Sequence, residues 1–173
     1  MTKRELETLL LTLESTPALL ARAAAELADD RVRQRGTAGS FSLVEHAWHL
    51  ADLEREGYAT RIRRLLTEDE PQLSNFDGER IARERLYHRR DLAEGLLAFT
   101  AARTRNVQAL REIGPSDWKR SGEQEGLGTV SLSDVPRMMA EHDRGHGVEI
   151  AELVRELRDG SAPGRERPVS AVA

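Results

Sequence analysis

Cysteine is absent from the 173 residues, which excludes disulfides, thiolate metal sites and a thiol nucleophile of the protein's own. Any metal must then be held by nitrogen or oxygen. Aromatic residues make up only 4% and valine and isoleucine are sparse, so the side chains that favour pleated sheets are scarce. No apolar run reaches membrane-spanning length, and Glu5, Glu7 and Glu14 interrupt what would be the apolar part of a leader peptide. A cytoplasmic protein without a membrane partner is expected. An excess of one charge is missing too, since 26 Lys and Arg stand against 30 Asp and Glu with the signs interspersed. The net charge of −4 offers no basic field for nucleic acid.

What the chain has in quantity is Leu, Ala, Arg and Glu, the residues that favour helices, and its length suits one domain. An all-α fold follows. Leu6, Leu9, Leu10 and Leu13 mark one apolar stripe, and Leu19, Leu20, Ala23, Ala24 and Leu27 mark another. Pro17 between them either opens a second helix or kinks a single one. After a loop at 34–40, Ser42 and Glu45 form a capping box that starts a helix running to about Leu66. A long third helix is predicted from Gly78 to Ile113, stopped by Gly114-Pro115, and "SDWKRSGEQEGLGTVS" after it reads as a surface connection. The last helix begins near Ser131 or Ser133, where Ser131 and Asp134 form a cap pattern and Pro136 fits the first turn, and ends near Asp159-Gly160. Four helices burying apolar stripes against each other make a bundle over residues 1–159, with 160–173 a Pro-rich, Gly-rich and charged tail predicted to be disordered.

Five histidines carry most of the chemistry. His142 and His146 stand four apart in "MMAEHDRGHGVE", on one helix face with Cβ atoms about 6 Å apart, close enough to share an ion. A third ligand must come from another helix, where "EHAWHLADLE" offers His46 and His49, also one turn apart. Against this stands the plain fact that a single helical histidine is more often a surface residue or a satisfied core residue. His88, among charges in "LYHRRD", is read as solvated, and "RIRR" at 61–64 as a charged outer face. The Glu-x-x-His pairs of di-iron bundles, the H-E-x-x-H zinc-protease pattern and a Gly-rich phosphate loop are all missing.

The stretch "SFSLVEHAWHLADLEREGYATRIRRLLTEDEPQLSNFD", with His49, Leu50, Asp52 and Glu54 in a His-Leu-x-Asp-x-Glu motif, resembles the second-helix region of the DinB-like superfamily. "LLAFTAARTRNVQALREIGPSDWKRSG" is similar to that family's third helix and Asp-Trp loop, and "EHDRGHGVEIAEL" to its His-Asp-x-x-His fourth helix, so the likeness spans roughly residues 5–158. The resemblance implies a four-helix bundle with a long crossover connection, commonly a homodimer. It also implies a divalent metal ion, zinc first with nickel or iron as alternatives, on His49, His142 and His146. His46 then becomes a neighbour that packs against the first helix or makes a hydrogen bond.

Three neutral imidazoles leave an ion an open position, as in catalytic zinc sites. The family contains S-transferases that use a low-molecular-weight thiol such as mycothiol or bacillithiol, and proteins regarded as metal-dependent hydrolases. The resemblance thus implies a small-molecule transferase or hydrolase, with a non-catalytic, stress-associated metal-binding bundle as the alternative. By helical spacing Glu45, Asp52 and Glu149 are candidates to orient the ligand rings, and Arg137 or Arg144 to meet a substrate carboxylate. Gly145 and Gly147, unfavourable in a helix, are expected to clear space for a neighbouring helix or a substrate.

Overall fold

The computed structural model describes residues 2–36 and 40–160, so the tail predicted over 160–173 lies, from 161 onward, outside the described residues. Helix α1 spans Lys3–Glu26 as one element with Pro17 inside it, the single-helix alternative of the sequence reading. Proline at 17 has no N–H for the Leu13 carbonyl one turn back. That carbonyl instead accepts a hydrogen bond of 3.0 Å from Arg103 Nη1, so the gap in the helix ladder is closed from another helix.

Helix α2, Leu43–Asp52, starts at the expected capping box, with Ser42 N donating to Glu45 Oε2 at 2.9 Å and Glu45 N to Ser42 Oγ at 3.4 Å. It continues without a break through a π-helical turn, Leu53–Tyr58, into α3, Ala59–Thr67. The π turn was not visible in the sequence, and such turns recur at functional sites.

The predicted 78–113 helix is broken. Helix α4 covers Gly78–Glu84, Leu86 takes a left-handed conformation at φ 51°, a 3₁₀ turn covers Tyr87–Arg89, and α5 runs Leu92–Glu112. Tertiary contacts hold the break: Tyr87 is fully buried and donates to Asp52 Oδ2 at 2.6 Å, and Trp48 Nε1 donates to the Asp91 carbonyl at 2.8 Å. Asp91 then caps α5 by accepting from Glu94 N at 2.9 Å, a sequence signal that helical periodicity obscured. The supposed surface connection at 116–131 also has structure: a 3₁₀ turn at Asp117–Lys119 and a hairpin of β2, Ser121–Gln124, and β3, Gly128–Ser131. Gly126 and Gly128 supply its positive φ angles of 75° and 89°, and the two-residue strand β1, Gln72–Leu73, pairs in parallel with β2. Helix α6, Val135–Asp159, has Pro136 in its first turn and ends at Gly160 with φ 72°.

The bundle core has two apolar halves. One gathers Leu20 and Ala23 of α1, Leu43 to Ala51 of α2, Phe99 of α5 and Ile150 to Leu157 of α6. The other gathers Leu10 and Leu13, Leu53 to Leu65, Val107 and Leu110, and Val135 to Ala140. Helices α2 and α5 both run from the first half to the second, so they are parallel, and residues 68–91 form the long crossover that the resemblance implied. Helices α1 and α6 run the other way. Between the halves lies a polar layer, and it contains the histidines.

Candidate metal centre

One half of the polar layer is an ionic network at nearly complete burial. Arg103 of α5 donates to Asp143 Oδ1 at 2.9 Å and Oδ2 at 2.5 Å, and to Glu54 Oε1 at 2.9 Å. Asn106 donates to Glu54 Oε2 at 2.7 Å, and Thr16 to Asp143 Oδ2 at 2.6 Å. Glu54 comes from the π turn, so all four long helices meet here. Burial raises the Glu54 pKa even though Arg103 stands beside it. The sequence reading had Glu54 in its motif but missed Thr16, Arg103 and Asn106, yet a signal existed: Phe99, Arg103, Asn106 and Leu110 follow helical spacing, which places Arg and Asn on the buried stripe of α5.

The other half of the layer is imidazole. His49 projects from the last turn of α2, and His142 and His146 from successive turns of α6. Their Nε2 atoms converge, at 3.5 Å between His49 and His142 and 3.2 Å between His142 and His146. Two ligands about 2.05 Å from a tetrahedral ion stand about 3.3 Å apart, so the spacing suits one such ion. The Nδ1 atoms of His49 and His142 are buried without a hydrogen-bond partner among the described residues. His146 Nδ1 lies 2.8 Å from Glu149 Oε2, the arrangement that orients a ligand ring.

Of the proposed orienting carboxylates, only Glu149 reaches a histidine. Glu45 accepts from Arg35 and Ser42, and Asp52 from Arg55, Arg85 and Tyr87, because α2 turns both away from His49. His46 is wholly buried beside Phe41 and His146, and neither of its nitrogens has a hydrogen-bond partner among the described residues. A cavity of about 530 Å³ opens onto the three rings and is also lined by Arg35, Phe41, Arg83 and Glu149. Arg137 and Arg144 lie elsewhere, in a groove against Thr8 and Leu9 of α1. His88 is exposed, as expected.

Gly145 and Gly147 do not have the role expected of them. A Cβ at Gly145 would meet nothing within 4 Å among the described residues, and one at Gly147 only Leu19 at 3.9 Å. The glycine that clears space is Gly78, at the start of α4, where a Cβ would stand 2.6 Å from His49 Nδ1 and closer still to Cε1. Gly78→Ala should therefore push the His49 ring off its partners and weaken metal binding about 10- to 100-fold, although alanine is the better helix former. Competition against a chelating dye reads the affinity. Unchanged affinity would mean that the ring is free to move without loss.

The buried rings also set a pH dependence. Burial first, with the electrostatic influence of neighbouring histidines, lowers the pKa of His46 to about 3, of His49 to about 2 and of His142 to about 4. The unfolded chain protonates these histidines near pH 6.5, so their contribution is present above that value. It is lost as pH falls toward the folded pKa values. Each should remove about 1.4 kcal/mol of stability per pH unit below pH 6.5. Urea unfolding of chelator-treated protein between pH 7.5 and 5 measures this slope, which should shrink by one proton in His49→Leu. A flat profile over that range would contradict the burial of uncharged rings.

A four-helix bundle with a long crossover, carrying three convergent imidazoles from its second and last helices, defines a metalloprotein-like class of fold and site. Comparison with known proteins names the family: the sequence model of the DinB superfamily matches residues 12–150, and this chain belongs to that superfamily. A protein of Oceanobacillus iheyensis named as a candidate metal-dependent hydrolase is 23% identical over 143 residues, covering 83% of this chain and 82% of that one. The solved structure of YfiT from Bacillus subtilis, described as a candidate metal-dependent hydrolase with an unusual four-helix bundle topology, superposes with a TM-score of 0.82. It shares 22% identity and covers 92% of this chain and 90% of that one, a likeness of fold. Among the described residues no helix is long and apolar enough to cross a membrane.

Proposed function

We propose that the protein is a metal-dependent enzyme acting on small molecules, with His49, His142 and His146 holding a divalent ion through Nε2. The convergence of three Nε2 atoms at 3.2 and 3.5 Å, open to a cavity of about 530 Å³, carries this reading. The names of the relatives favour hydrolysis. Held by these three neutral imidazoles, a divalent ion would keep its charge and would supply Lewis-acid chemistry, polarising a carbonyl or phosphoryl oxygen or acidifying a water or thiol.

The chain's own residues do the rest. Burial keeps His49 and His142 unprotonated at neutral pH, so their lone pairs are available without a proton to displace. Glu149 accepts from His146 Nδ1–H, which leaves the Nε2 lone pair aimed at the cluster, and its carboxylate also lines the cavity where it can take a proton from a nucleophile. Arg83, on the same wall and largely exposed, supplies positive charge to an anionic end of a substrate. Transfer of a low-molecular-weight thiol is the finer alternative. It needs the same site, and because the chain has no cysteine the thiol must come from a cosubstrate.

Elemental analysis of untagged protein reconstituted with zinc, nickel or iron should find one ion per chain, and His49→Ala should bind it at least 100-fold more weakly. A wild type without stoichiometric metal would end this reading. With metal bound, turnover of ester, amide or phosphoester panels without added thiol supports the hydrolase, and turnover that requires thiol supports the transferase. A metal-loaded protein inert on both panels would be the non-catalytic metal-binding bundle.

A further inference from the structure

The buried carboxylates of the polar layer and its surroundings are paired with cations: Glu54 and Asp143 with Arg103, Asp52 with Arg55 and Arg85, and Glu45 with Arg35. His46 has no comparable pairing. It is 0% exposed, and both its nitrogens lack a hydrogen-bond partner among the described residues, although buried polar groups in native proteins are nearly always satisfied. Its Nε2 lies 3.9 Å from Glu149 Oε2, and that same oxygen lies 2.8 Å from His146 Nδ1. His46, His146 and Glu149 each offer one donor atom, and these lie within 4.8 Å of one another, as those of His49, His142 and His146 do. His146 belongs to both groups, with its Nε2 facing His142 and its Nδ1 facing Glu149.

We infer that the protein has a second position for a divalent cation, formed by His46 Nε2, His146 Nδ1 and Glu149 Oε2, and that His146 serves one position at a time. The inference rests on the metal-binding reading above. A neutral imidazole has one lone pair and one N–H. With the lone pair on Nε2, His146 completes the set with His49 and His142, and its Nδ1–H donates to Glu149. With the lone pair on Nδ1, it joins His46 and Glu149, and its Nε2–H faces His142 Nε2 at 3.2 Å. The tautomer of a single ring thus selects between two neighbouring positions, and the ion has somewhere to go without leaving the protein. The first position has nitrogen donors alone. The second includes a carboxylate, which is 47% exposed and gives it contact with solvent.

The test is equilibrium dialysis with zinc on full-length protein, with circular dichroism to verify that each variant keeps its helices. Wild type should saturate at one equivalent. In His49→Ala the first position is lost, and residual binding should depend on His46, so that His49→Ala/His46→Ala binds at least 10-fold more weakly than His49→Ala. Cobalt substitution adds a second readout: the absorption of the His49→Ala complex should differ from that of wild type because a carboxylate joins the ligands. If His46→Ala has no effect in the His49→Ala background, the residue of binding is a two-histidine chelate and the second position does not exist. Should His49→Ala fail to fold, His142→Ala removes the first position equally well. Wild type that binds none of zinc, nickel and iron would overturn the functional reading itself, whereas His46-independent residual binding would overturn only the second position.

Discussion

Arg103→Met should destabilise the protein by about 3–5 kcal/mol, the cost of breaking a buried ion pair by removing one partner. For a domain of this size that corresponds to a fall in Tm of roughly 6–20 °C. Glu54 and Asp143 would remain buried without their cation, and the Leu13 carbonyl would lose the donor that stands in for the missing Pro17 amide. Methionine keeps much of the volume, so the loss reports charge and hydrogen bonding and not a cavity. The proline makes the prediction sharper. In a Pro17→Ala background the new amide can bond Leu13, so the cost of Arg103→Met should be smaller by about 1 kcal/mol, the usual worth of one hydrogen bond. Thermal and urea unfolding of the four proteins in this cycle gives the coupling directly, and strict additivity would show that Arg103 does not repair the helix.

The second large effect is the dependence of stability on metal. Zinc at a thousandfold excess over its Kd should stabilise wild type by about 4 kcal/mol, because an ion that binds only the folded chain raises stability by mass action. The His142→Ala/His146→Ala protein should show no such gain, since it lacks ligands from both the triad and the neighbouring position. Differential scanning calorimetry with and without zinc makes the comparison. A zinc-induced rise in Tm that survives in the double variant would place the binding site elsewhere on the chain.

The polar layer has an ionic half, in which Arg103 pairs with Glu54 and Asp143, and an imidazole half, in which His49, His142 and His146 converge. They touch at adjacent residues of α6, His142 and Asp143. The side chain of Asp143 joins Arg103 and Thr16 while that of His142 joins His49 and His146, so the scaffold that fixes α6 in place also sets the position of its histidines.

The sequence by itself determined the helical class, the start of α2 at Ser42 and the placing of His142 and His146 on one face. Each of these depends on neighbours three or four residues apart, whose geometry is the same in any helix. For the same reason it suggested Glu149, one turn beyond His146. Local spacing could not choose between His46 and His49, because both face inward from α2. The choice depends on where α6 lies, and His142 is 93 residues from His49 in the chain. It likewise placed Glu45 and Asp52 beside His49, whereas Arg35, Arg85 and Tyr87, brought in by other segments, draw them away. The break between α4 and α5 and the pairing of Arg103 with Glu54 and Asp143 were decided by tertiary structure alone. In both, the free energy comes from burying groups against partners distant in sequence, and that outweighs the helical propensity and the polar character legible in the chain.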